Sequence, residues 1–471
     1  MGKEIPTSKF TRQDFDRFRN NLVNETGLLE SYFRDKRFCS RHNVGGFEVE
    51  AWLVDKNAMP NPVNERFLES LNNPLVVPEL SLFNIELNVT PRILEKDALG
   101  RFRDDLQSTW EQCTDVAGKL DAGLMAIGIH PGITESRLNL DNMSSSPRYK
   151  ALNEQVLALR KGLPMYLNIY GRELYDTTHY DVMLEAATTS FQIHIQIRQE
   201  KAVRVFNAAL IASAPLVAVS ANSPYVFGHD LWDESRIPVF EQSVDDGSKI
   251  SKRVSFGDDY LFDSMFRCYQ DNLDKFPVLL PLNDDSRPEE FSHLRLHNGT
   301  IWRWNRPLIG FEKDGTPHLR LENRVVPSGP TLDDMIANAA FFWGMVRNLA
   351  DQPDAPEDRL PFAATRKNFY DAAFNSFDSS LVWLDGTARP VKEILMDELI
   401  PRAMDGLLFL GMDEGDCEYY LGIIKNRVLT GQNGATWQRA WTTKHGRDFM
   451  RLCQVYLELQ KSGTPVHEWP V

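Results

Sequence analysis

The sequence has few cysteines and none of the spacings that would make them a structural framework. Cys39, Cys113, Cys268, Cys417 and Cys453 are odd in number, scattered, and contain no CxxC pair. This pattern excludes a disulfide scaffold and a cysteine zinc site, and it is typical of free thiols in a reducing compartment. We therefore interpret all five as structural thiols of a cytoplasmic protein.

Membrane and export signals are also lacking. The segment Met1 to Pro6 contains no apolar signal sequence, and Pro6 stands where a myristoylation motif needs Ser or Thr. The longest apolar run, Ala208 to Val219, is interrupted by Ser213 and Pro215 and is too short to cross a bilayer. The sequence thus predicts a cytoplasmic protein without a membrane partner.

The usual nucleotide-binding and hydrolase motifs are absent as well. There is no GxxxxGK[ST] loop and no GxSxG elbow, and the segment Gly128 to Gly132 lacks the spacing of a dinucleotide-binding loop. A net charge of -14 argues against nucleic acid as a partner. An anionic substrate must therefore be bound by local arginines and metal ions.

Four predicted strands alternate between polar and apolar residues: Gly46–Trp52, Phe83–Val89, Ser190–Arg198 and His318–Arg324. Side chains in a strand point alternately to opposite faces, so each segment presents one polar row and buries one apolar row. Along the first strand, Glu48 would lie about 7 Å from the next glutamate on its face. The buried rows fix the register, so the charged rows cannot shift to the other face.

These rows supply the ligands that Mg²⁺ prefers, since it takes an oxygen shell and bridges carboxylates to phosphates. The candidate metal ligands on or beside the strands are Glu48, Glu50, Glu79, Glu86, His194 and Glu322. Arg320 and Arg324 flank Glu322 on the same face, suitably placed for a transferring phosphoryl group. Each element alone has a structural alternative: a solvated strand face, a core histidine, or surface ion pairs. Because the polar row is repeated on four strands, we favour a metal- and phosphate-binding site over these alternatives.

Two further segments carry candidate substrate-binding residues. Ser220–Pro224 contains Asn222, and the nearby Arg236 is our candidate for binding an anionic substrate. Trp304 and Arg306 are predicted to share a strand face. The alternatives are a turn role for Asn222 and core packing for at least one tryptophan.

The predicted elements favour an α+β protein. Helices are expected over Thr11–Phe33, Asp97–Asp121 and Lys201–Ala214, and polar loops over Gln242–Asp259 and Ala350–Leu360. Alternating strands in an irregular order with helices indicate a mainly antiparallel sheet and not a doubly wound parallel one. The acidic, proline-rich loop near 350–360 is the predicted boundary between a catalytic domain, 1–350, and a mainly helical C-terminal part, 351–471, packed on it. The alternative that the whole chain forms one domain also remains.

The motifs, in the order in which they occur along the chain, resemble those of the carboxylate–amine ligase family related to glutamate–cysteine ligases, within the glutamine synthetase-like superfamily. The residues that carry the resemblance are Gly46–Glu50, Glu79–Pro91, Ser190–His194, Ser220–Pro224, Ser235–Arg236, Thr300–Pro307 and Leu321–Arg324. Similarity is weaker near Asn368 and over 430–439. Two features depart from the family: no acidic residue precedes Arg306 where many relatives have one, and Arg320 is unusual at its position.

The resemblance implies a cup-shaped, mainly antiparallel sheet with helices on its convex side. Its concave face would bind ATP, two or three Mg²⁺ (or Mn²⁺ in its place) and an amino acid. By resemblance, the six candidate ligands hold the metals, Arg324 stabilises the phosphoryl group in transfer, and Arg236 holds substrate or phosphate. The implied substrate- or ATP-binding residues are Arg320, Asn222, Gln192, Trp304 and Arg306.

The implied activity is ATP- and Mg²⁺-dependent amide-bond formation through an acyl phosphate. The acid would be the γ-carboxylate of glutamate and the amine cysteine or another amino compound, as in glutathione biosynthesis. A phosphotransferase acting on a guanidino compound with the same cup is one alternative. A non-catalytic binding homologue is another, disfavoured because all six ligands are present. The sequence leaves the substrates and the oligomeric state open, a homo-oligomer included.

Overall fold

A computed structural model of the chain describes residues 8–248 and 251–471. The predictions for Met1 to Pro6, and a short part of the predicted loop Gln242–Asp259, lie outside the described residues. The strands are β1 (Val44–Val54), β2 (Val76–Pro78), β3 (Asn84–Asn88), β4 (Arg92–Ile93), β5 (Gly123–Met125), β6 (Met165–Tyr170), β7 (Leu174–His179), β8 (Ser190–Ile197), β9 (Tyr225–Val226), β10 (His229–Asp230), β11 (Val254–Ser255), β12 (Trp302–Arg303), β13 (Asn305–Phe311), β14 (Pro317–Pro327), β15 (Ser380–Val382) and β16 (Ala388–Pro390).

The helices follow the same chain order. They are α1 (Arg12–Arg34), α2 (Asn64–Leu71), α3 (Ala98–Gly118), α4 (Pro147–Leu159), α5 (Ala202–Ser220), α6 (Arg236–Ser243), α7 (Phe266–Lys275), α8 (Ser292–Asn298), α9 (Leu332–Asp351), α10 (Pro356–Arg359), α11 (Phe362–Asn375), α12 (Val391–Ile394), α13 (Ile400–Leu410), α14 (Glu414–Thr430), α15 (Gly434–His445) and α16 (Phe449–Ser462). A short 3₁₀ helix, Met183–Ala187, precedes β8.

The central sheet has eight strands in the order β13-β14-β8-β1-β3-β2, with β4 and β5 also paired to β1. All of its pairs are antiparallel, and the sheet curls so that one face is concave. Its register sets Glu322 opposite both His194 and Arg306, and Glu50 opposite Glu86. The predicted polar rows are therefore neighbours on one face, and the predicted α+β cup is confirmed.

The convex face of the sheet is apolar and is covered by α3, α5 and α9. Phe47 on β1 contacts Phe102 on α3 with ring centroids 5.3 Å apart, and Phe102 in turn contacts Trp343 on α9. The indole nitrogen of Trp343 donates a 3.1 Å hydrogen bond to the backbone carbonyl of His194. Each such buried aromatic side chain contributes roughly 1.5–3 kcal/mol through burial. This packing fixes which face of each strand points into the cup.

The residues after Asp351 are mainly helical, and α13 and α14 pack on α9. Helices α9 and α13 cross at two glycines: a Cβ atom at Gly344 would lie 2.3 Å from the carbonyl oxygen of Ala403, and one at Gly406 would lie 2.0 Å from the carbonyl oxygen of Gly344. Only residues without a Cβ atom permit this approach. The domain boundary at 350/351 stays a prediction.

The predicted helices at the N-terminal end and after β4 are confirmed as α1 and α3. The predicted helix Lys201–Ala214 is longer than expected, because α5 continues through Pro215 to Ser220 in a fully buried environment where packing outweighs propensity. The loop predicted over Gln242–Asp259 is wrong in part, since it begins inside α6 and contains β11. The loop at Ala350–Leu360 is interrupted by α10.

One helical stretch in the described part of the chain, Gln199–Ser220, has the length and composition to cross a membrane, but 89% of its most apolar window is buried inside the protein. It includes α5, which lies under the convex face of the sheet. All five cysteines are free, and all except the half-buried Cys39 are buried. The pattern of scattered, unpaired thiols thus agrees with the prediction.

Candidate active site

Three carboxylates from neighbouring strands form the first cluster of the site. Glu50 on β1 lies opposite Glu86 on β3, and Glu79 follows directly after β2. One carboxylate oxygen from each lies within 4.8 Å of those of the other two. Glu50 is oriented by Ser190, whose backbone N–H and hydroxyl donate hydrogen bonds of 2.6 and 2.9 Å to its two oxygens. The cluster therefore presents hard oxygen atoms at one point in the concavity.

The electrostatics of this cluster fit a divalent cation. Burial, with the repulsion of Glu48 added, raises the pKa of Glu86 to about 7. Burial and the adjacent Glu86 raise the pKa of Glu79 well above its ordinary value. Burial also raises the pKa of Glu50, although Arg324 opposes this. Carboxylates that repel one another in this way are stabilised in their ionised form by Mg²⁺, which prefers such oxygen ligands.

A second cluster lies beside the first and consists of Glu48, His194 and Glu322. The Nε2 atom of His194 is 3.5 Å from a carboxylate oxygen of Glu48. His194 on β8 is also paired directly with Glu322 on β14. Within the described residues, neither ring nitrogen of His194 has a hydrogen-bond partner. Burial lowers the pKa of His194 to about 4, so the ring is neutral near pH 7. A neutral imidazole between two carboxylates fits a metal ligand.

Two arginines donate hydrogen bonds to Glu322, and one of them, Arg324, also connects the two clusters through Gln192. Arg306 donates to both oxygens of Glu322, at 3.1 and 2.9 Å. Arg324 donates to Glu322 at 2.8 Å and also to the side-chain oxygen of Gln192. The amide nitrogen of Gln192 then donates to Glu50 at 2.8 Å. Burial disfavours the charge on Arg324, but Glu322 and Glu50 outweigh it and raise its pKa. These contacts hold a permanent cation against the carboxylates.

Arg320 extends the row toward one end of the sheet. It lies on the same face as Glu322, opposite Gln196, and its buried Nε has no hydrogen-bond partner in the part of the chain that the structure describes. Burial and then the Arg320 charge lower the pKa values of His318 (to about 4) and of Arg295. The positive charges of Arg320 and Arg295 are thus close enough to repel each other, whereas His318 is neutral at pH 7 and lies beside Glu312.

Three predicted substrate-binding residues are almost completely buried and bind other groups of the protein. Arg236 is 1% exposed, and Asn222 and Trp304 are fully buried. The indole nitrogen of Trp304 donates to Glu241 at 2.8 Å, and the amide of Asn222 donates to the carbonyl oxygen of Ser328 at 2.9 Å. Direct substrate contact by these three residues stays a prediction.

The sequence reasoning missed two residues of the site. Ser190 had a usable signal, because it stands on the same strand face as Gln192 and His194. Glu185 had no usable sequence signal, because it belongs to the 3₁₀ helix before β8 and lies outside any alternating pattern. Burial and the charge of Glu50 raise the pKa of Glu185 to about 8. The structure therefore adds a seventh acidic or imidazole group near the clusters.

The concave antiparallel sheet and its carboxylate clusters fit an enzyme of the ATP-dependent ligase class, which the family match supports. The family model of glutamate-cysteine ligase family 2 (GCS2) matches residues 44–454, which is most of the chain. The protein belongs to this family.

Individual relatives agree with the assignment. A Frankia alni protein named glutamate–cysteine ligase 2-1 is 25% identical, over 78% of this chain and 81% of its own length. A glutamate–cysteine ligase from Francisella tularensis, solved in complex with AMP, has a TM-score of 0.57 and 14% identity, covering 90% of both chains. A bifunctional glutathione synthetase from Pasteurella multocida has a TM-score of 0.51 and 14% identity, covering 94% of this chain and 54% of the other. At these identities the two structures support the fold alone.

Proposed function

We propose that the protein joins the γ-carboxylate of glutamate, or of a similar acid, to the amine of cysteine or another amino compound. ATP would activate the acid as an acyl phosphate. The observation that carries the proposal is the convergence of Glu50, Glu79 and Glu86 with Glu48, His194 and Glu322 beside Arg324 on one concave face. Membership of the glutamate–cysteine ligase family supports this substrate pair, and the AMP in the Francisella tularensis enzyme supports a nucleotide.

The residues present offer two sets of ligands for Mg²⁺, and the number of ions, two or three, is part of the proposal. One set of ligands is Glu50, Glu79 and Glu86, and the other is Glu48, His194 and Glu322. Bound Mg²⁺, or Mn²⁺ in its place, would neutralise phosphate charge and make the γ-phosphorus a better electrophile. Glu322 is hydrogen-bonded by both arginines here, so it would present an already oriented carboxylate.

In the first chemical step, a carboxylate oxygen of the acid attacks the γ-phosphorus, and the bond from that phosphorus to the ADP oxygen breaks. This step needs positioning and charge neutralisation more than a covalent protein group. Arg324 supplies a fixed positive charge, since Glu322 and Gln192 hold its guanidinium. The buried Nε of Arg320 lacks a hydrogen-bond partner in the described structure, and Arg320 is our candidate for binding a phosphate or a substrate carboxylate.

In the second step, the amine nitrogen attacks the acyl carbon, phosphate leaves with the bonding electrons, and the nitrogen loses a proton. No protein nucleophile is required. The cysteines agree with this, because burial raises the pKa of Cys268 to about 11 and that of Cys453 to about 12. Such thiols stay protonated and unreactive at neutral pH.

The test is ADP release from purified protein with ATP, Mg²⁺ and pools of acids and amines. Ligation predicts release that depends on both an acid and an amine. A stable phosphorylated product formed without an amine would instead indicate a phosphotransferase acting on a guanidino compound. Glu48→Gln and Glu322→Gln should abolish turnover while leaving thermal unfolding cooperative. Full activity in both variants would refute the assigned site.

A further inference from the structure

Two of the three guanidinium nitrogens of Arg236, Nε and Nη2, donate hydrogen bonds to groups of the protein itself. Its Nε donates to a carboxylate oxygen of Glu234 at 3.0 Å, and its Nη2 donates to the backbone carbonyl oxygens of Arg324 and Val325 at 3.0 and 2.6 Å. The side chain is 2% exposed and that of Glu234 is 0% exposed. These contacts join Arg236 to the strand that carries Arg324.

The two carbonyl groups belong to an irregularity in β14. Asn323 lies opposite Ile193 on β8, whereas Val326 lies opposite Phe191, so Arg324 and Val325 both face the single residue between them. Such a bulge leaves backbone groups outside the ladder and changes the direction of a side chain. Arg236 satisfies both bulge carbonyls with one charged donor, which is stronger than a neutral hydrogen bond. The hydrogen bonds from Arg236 therefore hold the bulge in place.

Arg236 is itself held by a buried network. The second carboxylate oxygen of Glu234 accepts a 2.8 Å hydrogen bond from the backbone N–H of Asn222. The backbone N–H of Arg236 donates to the hydroxyl of Ser223 at 3.1 Å. The amide of Asn222 donates to the hydroxyl of Tyr456 at 2.9 Å, which ties the network to α16. The segments around Asn222 and Arg236 thus form one support for the end of β14.

We infer that Arg236 is a positioning residue that acts on the reaction through Arg324, by holding the bulge from which Arg324 reaches Gln192 and Glu322. This inference rests on the proposed function, in which Arg324 offsets charge on the transferring phosphoryl group. A small displacement of such a group is costly, because catalysis depends on its geometry. Lysine at position 236 would keep the charge beside Glu234 but lacks the planar fork that reaches both carbonyls.

The test is a double-mutant cycle with Arg236→Lys, Arg324→Lys and the double variant, using radiolabelled ATP so that slow rates stay measurable. We expect Arg236→Lys to lower kcat about tenfold with little change in KM for ATP or the acid. The double variant should be no slower than Arg324→Lys alone, within about twofold. Multiplicative losses would overturn the inference. So would a raised KM at unchanged kcat, which indicates direct substrate binding.

The matched control is Arg427→Lys, because Arg427 is also a buried arginine that pairs with a carboxylate, Asp334, and donates to a backbone carbonyl, but lies on the convex side. It should reproduce any loss of stability without the effect on kcat. If Arg236→Lys does not fold, Glu234→Gln takes its place in the same cycle. Wild-type protein without acid- and amine-dependent ADP release would refute the proposed function; an active wild type with multiplicative losses would refute only the positioning role.

Discussion

The carboxylate cluster predicts a substitution that should stabilise the metal-free protein while it abolishes activity. The pKa of Glu86 is raised from 4.5 to about 7 in the folded protein, chiefly by burial and by Glu48. The folded state therefore binds this proton more tightly than the unfolded state. Below pH 4.5, Glu86 is protonated in both states and does not lower the free energy of unfolding. As the pH rises from 4.5 to about 7, the free energy of unfolding falls, because the unfolded state releases this proton first.

The size of the expected stabilisation follows from the same pKa shift of Glu86. A change from 4.5 to about 7 corresponds to roughly 3 kcal/mol above pH 7. Glu50 and Glu79 share the repulsion, so we expect Glu86→Gln to gain about 1–3 kcal/mol in EDTA at pH 8. The hydrogen bond from Asn88 to Glu86, 2.9 Å long, is compatible with a glutamine oxygen. At pH 5 the gain should fall to less than half.

The assay is urea unfolding in EDTA at both pH values, repeated at pH 8 with Mg²⁺. Mg²⁺ should stabilise the wild type more than the variant, because binding to the folded state shifts the unfolding equilibrium. Glu69→Gln, at an exposed position on α2, is the control and should change nothing. Destabilisation of Glu86→Gln at pH 8 in EDTA, or an equal gain at both pH values, would refute the reasoning.

Other expected outcomes concern charge and thiols. Arg324→Lys should lower kcat by about 10²-fold without changing thermal unfolding, and a near-normal rate would remove Arg324 from the mechanism. Arg320→Gln should raise KM for ATP or the acid about tenfold, since one charge-assisted contact is lost; unchanged KM values contradict this. The Mg²⁺ concentration for half-maximal activity should rise as the pH falls below about 7, because Glu86 must lose a proton to bind metal, and a flat profile would count against the cluster. Iodoacetamide should modify Cys39 alone and leave activity intact, whereas inactivation would implicate a thiol.

The strands of the site were predictable because each alternates polar and apolar residues, and alternation is a local property. Ser190–Ile197 shows this most clearly, and it is confirmed as β8. The hairpin β6–β7 was missed although its first strand alternates between buried and exposed positions. Tyr166 and Tyr170 occupy exposed positions there and conceal the period.

The surroundings of the site depend on contacts that no local pattern encodes. Arg236 was predicted from its residue type, but its partners at Arg324 and Val325 are 88 and 89 positions away. The bulge in β14 adds a residue without any glycine or proline to mark it. Helix α2 lies within a segment rich in Asn and Pro, and its eight residues are too few to give a clear helical period.

The hydrogen bond from the Trp343 indole to the His194 carbonyl joins α9 to β8, the strand that carries the proposed imidazole ligand. An isotope-labelled indole at this position therefore offers a spectroscopic probe of the strand that lies outside the cup and touches no substrate. Its resonance would follow adjustments of the His194 backbone during titration with cations or nucleotide, and would separate binding from turnover in one sample.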